Sequence, residues 1–420
     1  KTACDNVNHE NTDDNDVDFP PLLDSDDIAY FFEENDLDGL HWALANVFAR
    51  SERNPTSHPK QQPLSATLVS RGGGSTYTSE YKLRCDLEQA QHIAEEYQST
   101  DKEKSDLFAN VISPMYEAMI NQIPPLDQLQ RTEGLYPFKP NDLQNGGMSE
   151  IYNKALHHTD IDEYVVGSKQ QKSIDIVNPN LNVEAIQQQW EGAIPPPDGL
   201  PGAPGVVVVD DILTKEALER IRKVMLESTV FYQTKMPLKF GGYVGAYIDD
   251  GLYDRILLKL AFELHKALPR IMKNHPLRYL WAYKYDSDFT GINTHADQAA
   301  VNVNLWLTPD DANLDMDSGG LVVFTTKPPE DWDFERFNKN TQLIENLVKP
   351  GGHGANVTVP HRQNRAVIFD SALFHHSDEY KFKKGYKNRR INLTLLYGNM
   401  RRGSADSSTA TVDASASREL

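Results

Sequence analysis

"THADQAAVNVNLWLTP", residues 294–309, sets a histidine and an aspartate two apart ahead of a run that alternates polar and apolar side chains. In an extended chain the side-chain period is two, so His295 and Asp297 point to one side and can grip one ion together. The same rule separates Asn302, Asn304 and Trp306 from Val301, Val303, Leu305 and Leu307. The run reads as a strand with one apolar and one polar face. A catalytic metal site needs a third ligand, and the rest of the chain is read for it.

His-x-Asp is a weak signal alone, because it occurs three times: His158 with Asp160, His295 with Asp297, and His376 with Asp378. The first sits in a helical region, and no histidine follows the last. Only His295 and Asp297 have strands around them and histidines downstream. "RAVIFDSALFHHSDEY", 365–380, ends a strong strand with His375 and His376. Two imidazoles and one carboxylate make the ligand set of a mononuclear non-haem Fe(II) site, with open positions for other ligands. In "RRINLTLLYG", 389–398, Arg390, Asn392 and Thr394 share one side, opposite Ile391, Leu393 and Leu395. The planar fork of Arg390 suits a carboxylate better than a lysine would.

The surrounding chain fits such a site into an α+β architecture. From about 28 to 190 the apolar spacing is helical, as in "DGLHWALANVFAR" (38–50) and "LEQAQHIAEEYQ" (87–98). "GAIPPPDGLPGAPG", 192–205, forbids regular structure and is placed as a linker. Beyond it "VVVV" (206–209) reads as a buried strand, followed by a helix in "TKEALERIRKVMLEST" with Leu218, Ile221 and Met225 on one face, and by a second helix over 253–268 that stops at Pro269. Then "YLWAYKYD", "AAVNVNLWLT", "GGLVVFTT", "RAVIFD" and "RRINLTLLYG" read as strands between turns. This pattern predicts a barrel or sandwich with helices packed outside. Residues 1–27 are expected to be an acidic disordered tail and 401–420 a low-complexity one. The stretch 327–362 is longer than an ordinary turn and is expected to act as a lid or wall, with Trp332, Phe334 and Phe337 mostly packing it down. His157, His158, His353 and His361 are expected at the surface.

Composition excludes several classes. A formal net charge of −19 argues against nucleic acid, which needs a basic stripe. No apolar run approaches the ~18 residues that span a bilayer. Two cysteines, Cys4 and Cys85, allow at most one bridge and no cysteine-based zinc site. A chain beginning at Lys1 reads as processed or trimmed, and a removed signal peptide, hence the secretory pathway, is one explanation. The compartment and oligomeric state stay open.

The order of His-x-Asp, a Gly-Gly pair (Gly319, Gly320) before a strand, a distal histidine and an arginine on the last strand resembles the 2-oxoglutarate- and Fe(II)-dependent dioxygenases. The match spans roughly 200–400. "YKYDSDFTGINTHAD", "VNVNLWLTPDDANLDMDSGGLVVF" and "NRRINLTLLYG" are similar to an oxygenase group found behind tetratricopeptide-type helices in bacterial proteins, although clear repeats are lacking here. The layout is also similar to that of prolyl hydroxylases. The resemblance implies a double-stranded β-helix (jelly-roll) core over 206–400, with flanking helices behind a mainly helical region, 28–191. It implies that His295, Asp297 and His375 ligate Fe(II), with His375 preferred over His376 because the group's pattern is Leu-Phe-His. Arg390 would hold the distal carboxylate of 2-oxoglutarate and Tyr285 would donate to it. Thr394 and Asn304 are taken as further cosubstrate contacts. The implied reaction is hydroxylation of a small molecule or a polypeptide residue using O2, with succinate and CO2 as co-products. The rival readings are a non-catalytic metal-binding barrel that serves as an interaction module, and a cupin-like metalloenzyme without 2-oxoglutarate, which leaves Arg390 without a task.

Overall fold

The computed structural model describes residues 23–53, 77–139, 142, 147–159, 174–196, 200, 202–286, 291–332, 336–337, 341–348 and 355–400. The tails at 1–22 and 401–420, together with Cys4, His353 and Phe334, lie outside the described residues. Helix α1 (Ser25–Glu33) begins inside the stretch expected to be tail. Asp24 accepts from the Asp26 and Asp27 amides at 2.8 and 3.0 Å, and Asp27 accepts from the Asp24 amide at 3.0 Å. This reciprocal cap satisfies amides that the first turn leaves orphaned, so the acidic residues here start a helix.

Two helices read from periodicity are present: α2 (Leu37–Arg53) and α3 (Glu80–Tyr97). Leu40, Leu44 and Phe48 of α2 share one face and are buried. Helix α4 (Ser113–Ile120) packs Tyr116 and Met119 into a smaller cluster with Leu83, Ala90 and Ile93 of α3. Helix α5 (Lys215–Glu227) is capped by Thr214, whose hydroxyl accepts from the Ala217 amide at 3.2 Å. Helix α6 (Arg255–Ala267) buries Leu257, Leu260 and Leu264 and stops ahead of Pro269. Among the described residues no helix is long and apolar enough to cross a membrane.

Among the described residues ten strands follow the 192–205 stretch: β1 (Val206–Val209), β2 (Gln233–Thr234), β3 (Tyr243–Tyr247), β4 (Leu277–Tyr285), β5 (Val301–Trp306), β6 (Leu321–Phe324), β7 (Asn356–Val359), β8 (Ala366–Asp370), β9 (His375–Ser377) and β10 (Arg390–Tyr397). They form a seven-stranded sheet in the order β1-β8-β5-β10-β4-β3-β2 and a three-stranded sheet in the order β9-β6-β7. Every pairing is antiparallel. Strand alternation sorts the faces. Val207, Val209, Val303, Leu305, Ile391, Leu393 and Leu395 share one core with α1, α2, α5 and α6. Val206, Val208, Trp306, Val367 and Phe369 turn the other way and meet Leu321, Val323, Val357 and Val359 of the smaller sheet. Fully burying one such leucine or valine stabilises by about 1.5–3 kcal/mol, which makes the register costly to slip.

The described part of the stretch 327–362 supplies β7 to the smaller sheet and helix α7 (Thr341–Val348). Phe337 is buried with Ile344, Val348 and Phe374, and Trp332 packs beside them. Strands β2 and β9 escaped the sequence reading because they are only two and three residues long, β3 because glycine interrupts it, and β7 because Asn356 and Thr358 leave it only two apolar residues. Gly245 of β3 is needed there, since a Cβ would lie 2.7 Å from the Tyr283 ring.

Helix α3 is tied to the end of β10. Arg389 pairs with Glu88 at 2.9 Å and with Asp286 at 3.2 Å, its guanidinium lying over the Tyr81 ring. Gln89 donates to the Leu226 and Ser228 carbonyls at 3.0 and 2.9 Å. Arg389 thus faces the helices, and Arg390, its neighbour on an alternating strand, faces the opposite side.

Candidate metal centre

His295 and His375 sit opposite one another across an isolated antiparallel bridge. The His295 amide donates to the His375 carbonyl at 3.0 Å, and the His375 amide returns the bond at 2.8 Å. Directly opposed residues project to the same side, and the two ring centroids are 4.2 Å apart. Asp297 joins them from two residues on. One ligand atom from each of the three lies within 4.8 Å of the others. Asp297 Oδ1 is 3.8 Å from His295 Nε2, and Oδ2 is 3.5 Å from His375 Nε2.

The tautomers follow from the partners. His295 Nδ1 lies 2.7 Å from the Asn293 carbonyl and His375 Nδ1 lies 3.0 Å from the Leu373 carbonyl. A carbonyl only accepts, so each Nδ1 carries the proton and each Nε2 turns a lone pair toward Asp297. Burial pushes the His295 imidazole down to about 4, with His375 adding to the effect. Burial would raise the Asp297 carboxyl, but the adjacent His375 and His295 rings and the Asn302 amide, which donates to Oδ2 at 2.7 Å, outweigh it and hold the group below its ordinary value. Neutral imidazoles beside an ionised carboxylate are the donor set a divalent cation requires. His376 points away: its ring packs 5.6 Å from Phe324 and its Nδ1 donates to the Ser377 carbonyl at 2.8 Å.

A cavity of about 430 Å³, mouth included, opens beside the three. Arg390, Tyr285, Thr394 and Asn304 all line it, so the structure gathers every residue singled out from the sequence. Trp281, Tyr283, Ile292, Leu321, Ser377 and Asn392 complete the lining. These the sequence reading did not select, although the alternation of β10 already put Asn392 on the polar face. Burial raises the Tyr285 phenol well above its ordinary value, opposed by Arg390, so it stays a proton donor.

Arg390 is only 2% exposed. Its Nε donates to the Gly319 carbonyl at 2.8 Å and its Nη2 to the Gly320 carbonyl at 2.9 Å, while Nη1 has no hydrogen-bond partner. One edge of the fork is therefore occupied by backbone, and a carboxylate would be met end-on through Nη1. The glycine pair is what permits this clamp. Gly319 has φ +87°, and a Cβ on Gly320 would lie 1.9 Å from the Val359 carbonyl oxygen. Gly320→Ala is expected to cost about 1–3 kcal/mol through overpacking and to loosen Arg390. Urea unfolding reads the first effect, and an unchanged midpoint would refute it.

Three histidines expected at the surface are buried. His157 contacts Tyr97 Oη at 3.2 Å, His158 lies 2.9 Å from the Gly251 carbonyl and stacks on Tyr253, and His361 stacks on Trp306. Polarity alone placed them outside; packing of distant elements covers them. Burial, with the Arg390 and Arg365 cations nearby, pushes His361 down to about 3. An unfolded histidine titrates near ~6.5. Between those values the unfolded chain binds a proton that the folded protein does not, so stability falls as pH drops through that window, by about 1.4 kcal/mol per unit. Comparing urea unfolding at pH 7 and 5, His361→Leu should lose about 1–2 kcal/mol less than the wild type over that interval; equal losses would rule out this contribution.

No family model and no curated protein matches the sequence. Solved structures to which this chain is similar include the α-ketoglutarate-dependent epimerase SnoN from nogalamycin biosynthesis, at 13% identity over 54% of this chain and 91% of that one, TM-score 0.36. HygX from Streptomyces hygroscopicus, with nickel, 2-oxoglutarate and hygromycin B bound, gives 14% over 46% and 82%, TM-score 0.32. A Pseudomonas putida prolyl-4-hydroxylase gives 14% over 52% and 99%, TM-score 0.32.

Proposed function

We propose that this chain is a 2-oxoglutarate- and Fe(II)-dependent oxygenase on a double-stranded β-helix spanning residues 206–400, acting on a small molecule or a polypeptide residue. The observation that carries the reading is the convergence of His295 Nε2, the Asp297 carboxylate and His375 Nε2 at one end of a cavity that holds the unpartnered Arg390 Nη1. The donors fit a divalent iron: two neutral imidazoles and one carboxylate leave part of its coordination sphere to other ligands. The buried arginine fits a dicarboxylate, because a carboxylate would satisfy a donor that is otherwise costly to bury.

When bound, iron with 2-oxoglutarate and O2 supplies the oxidising power, yielding succinate and CO2 beside the oxidised product. The chain's own residues bind and orient. His295, Asp297 and His375 would hold the metal; Arg390 and Tyr285 would fix the far end of the cosubstrate, with Thr394 and Asn304 along its flank. Tyr283, Trp281 and Ile292 supply apolar wall, which excludes water and limits the approach of a substrate. Hydroxylation is the expected outcome.

Anaerobic addition of Fe(II) and then 2-oxoglutarate to the purified protein tests the reading. A weak visible charge-transfer absorption that saturates with 2-oxoglutarate is the expected result. Its absence at saturating concentrations, with metal demonstrably bound, would leave the non-catalytic metal-binding barrel as the better account.

A further inference from the structure

Between the sheets runs a line of side-chain amides that the metal site does not by itself require. Asn392 Nδ2 donates to Asn304 Oδ1 at 3.0 Å, Asn304 Nδ2 to Asn302 Oδ1 at 3.0 Å, and Asn302 Nδ2 to Asp297 Oδ2 at 2.7 Å. Thr394 flanks the line, its Oγ1 3.1 Å from Asn392 Nδ2. All four residues are buried, Asn302 completely. The direction of the line is set by its last member. An ionised carboxylate only accepts, so Asn302 must present its NH2; its carbonyl is then left for the Asn304 NH2, and the Asn304 carbonyl for Asn392. Asn304 and Asn302 each accept at one end and donate at the other, while Asn392, whose Oδ1 has no hydrogen-bond partner, only donates, so polarisation runs one way toward Asp297.

Strand geometry explains how the line forms. Asn302 and Asn304 are alternate residues of β5, Asn392 and Thr394 are alternate residues of β10, and Thr394 is the register partner of Asn304. Three amides buried where aliphatic side chains would pack more cheaply carry a desolvation cost unless every bond is made. Their alignment on one carboxylate oxygen is the feature that a simply polar interior would not produce.

We propose that Asn302 is a positioning residue for Asp297, held in turn by Asn304 and Asn392, so that the amide line fixes how the carboxylate meets the metal. This rests on the metal-site reading above. A carboxylate has two oxygens and several lone-pair directions, and a donor fixed on Oδ2 restricts its rotation. Removing such an outer partner typically weakens metal binding 10–100-fold.

Cobalt(II) titration of the full chain, followed by its visible ligand-field absorption and by chelator competition, tests this. Asn302→Leu is expected to bind cobalt about 10–100-fold more weakly, with a changed absorption spectrum reporting altered carboxylate geometry. Asn304→Leu, which breaks the line one link away from Asp297, should weaken binding about threefold or more by loosening Asn302. It decides the matter if Asn302→Leu does not fold. Binding within twofold of wild type and an unchanged spectrum, in whichever of these variants folds, overturns the proposal. Failure of the wild type itself to bind cobalt overturns the metal-site reading instead, so the two failures are distinguishable.

Discussion

His375→Ala is expected to weaken metal binding by more than about 100-fold, while His376→Ala should leave it within about threefold. The argument is one of direction. The two imidazoles are adjacent on β9, so they face opposite ways. His375 is the bridge partner of His295 and shares its side, with Nε2 3.5 Å from Asp297 Oδ2. His376 lies against Phe324, outside the cluster of ligand atoms. If His375 binds the metal directly, as proposed, its loss should exceed the 10–100-fold typical of an outer partner. It also leaves only one imidazole beside the carboxylate. Isothermal titration with Mn(II) checks both variants, and the reverse ranking would mean that β9 presents its other face to the metal.

Arg390→Ala is the second large effect: 2-oxoglutarate binding to the metal-loaded protein should fall by about 100-fold or more, with metal affinity nearly unchanged. Hydrogen bonds to charged groups contribute about 1.5–3 kcal/mol each, and a buried carboxylate left without its cation adds a desolvation penalty. Arg390→Lys should recover little, because an ammonium has no fork and cannot serve the Gly319 and Gly320 carbonyls and a ligand together. Both variants strip donors from those two carbonyls. Unfolding midpoints must therefore accompany the affinities, and a titration of the charge-transfer absorption separates cosubstrate loss from metal loss. Unchanged affinity for 2-oxoglutarate in a folded Arg390→Ala protein would remove the anchor role and leave its carbonyl clamp as purely structural.

Much of this site is written in local periodicity. The alternation in "VNVNLW" and "RINLTLLY" sends Asn302, Asn304, Arg390, Asn392 and Thr394 to one face and the aliphatic residues to the other, and the structure has that division. The same logic places His295 beside Asp297. Helices α2, α3, α5 and α6 were legible from apolar spacing, and the end of α6 from Pro269. These features depend on neighbours within a few residues, where backbone geometry dictates which side chains share a face.

What the sequence could not determine is which distant segments meet. That His375 rather than His376 meets His295 and Asp297 was picked out only through a resemblance, because its bridge to His295 joins residues 80 positions apart and the pairing of β9 with β6 joins residues more than 50 apart. Burial of His157, His158 and His361, recruitment of the 356–359 segment as a strand, and the Gly319–Gly320 clamp on Arg390 likewise arise from packing between remote elements. Periodicity tells a side chain which way to face; only the closed sheets decide what it faces.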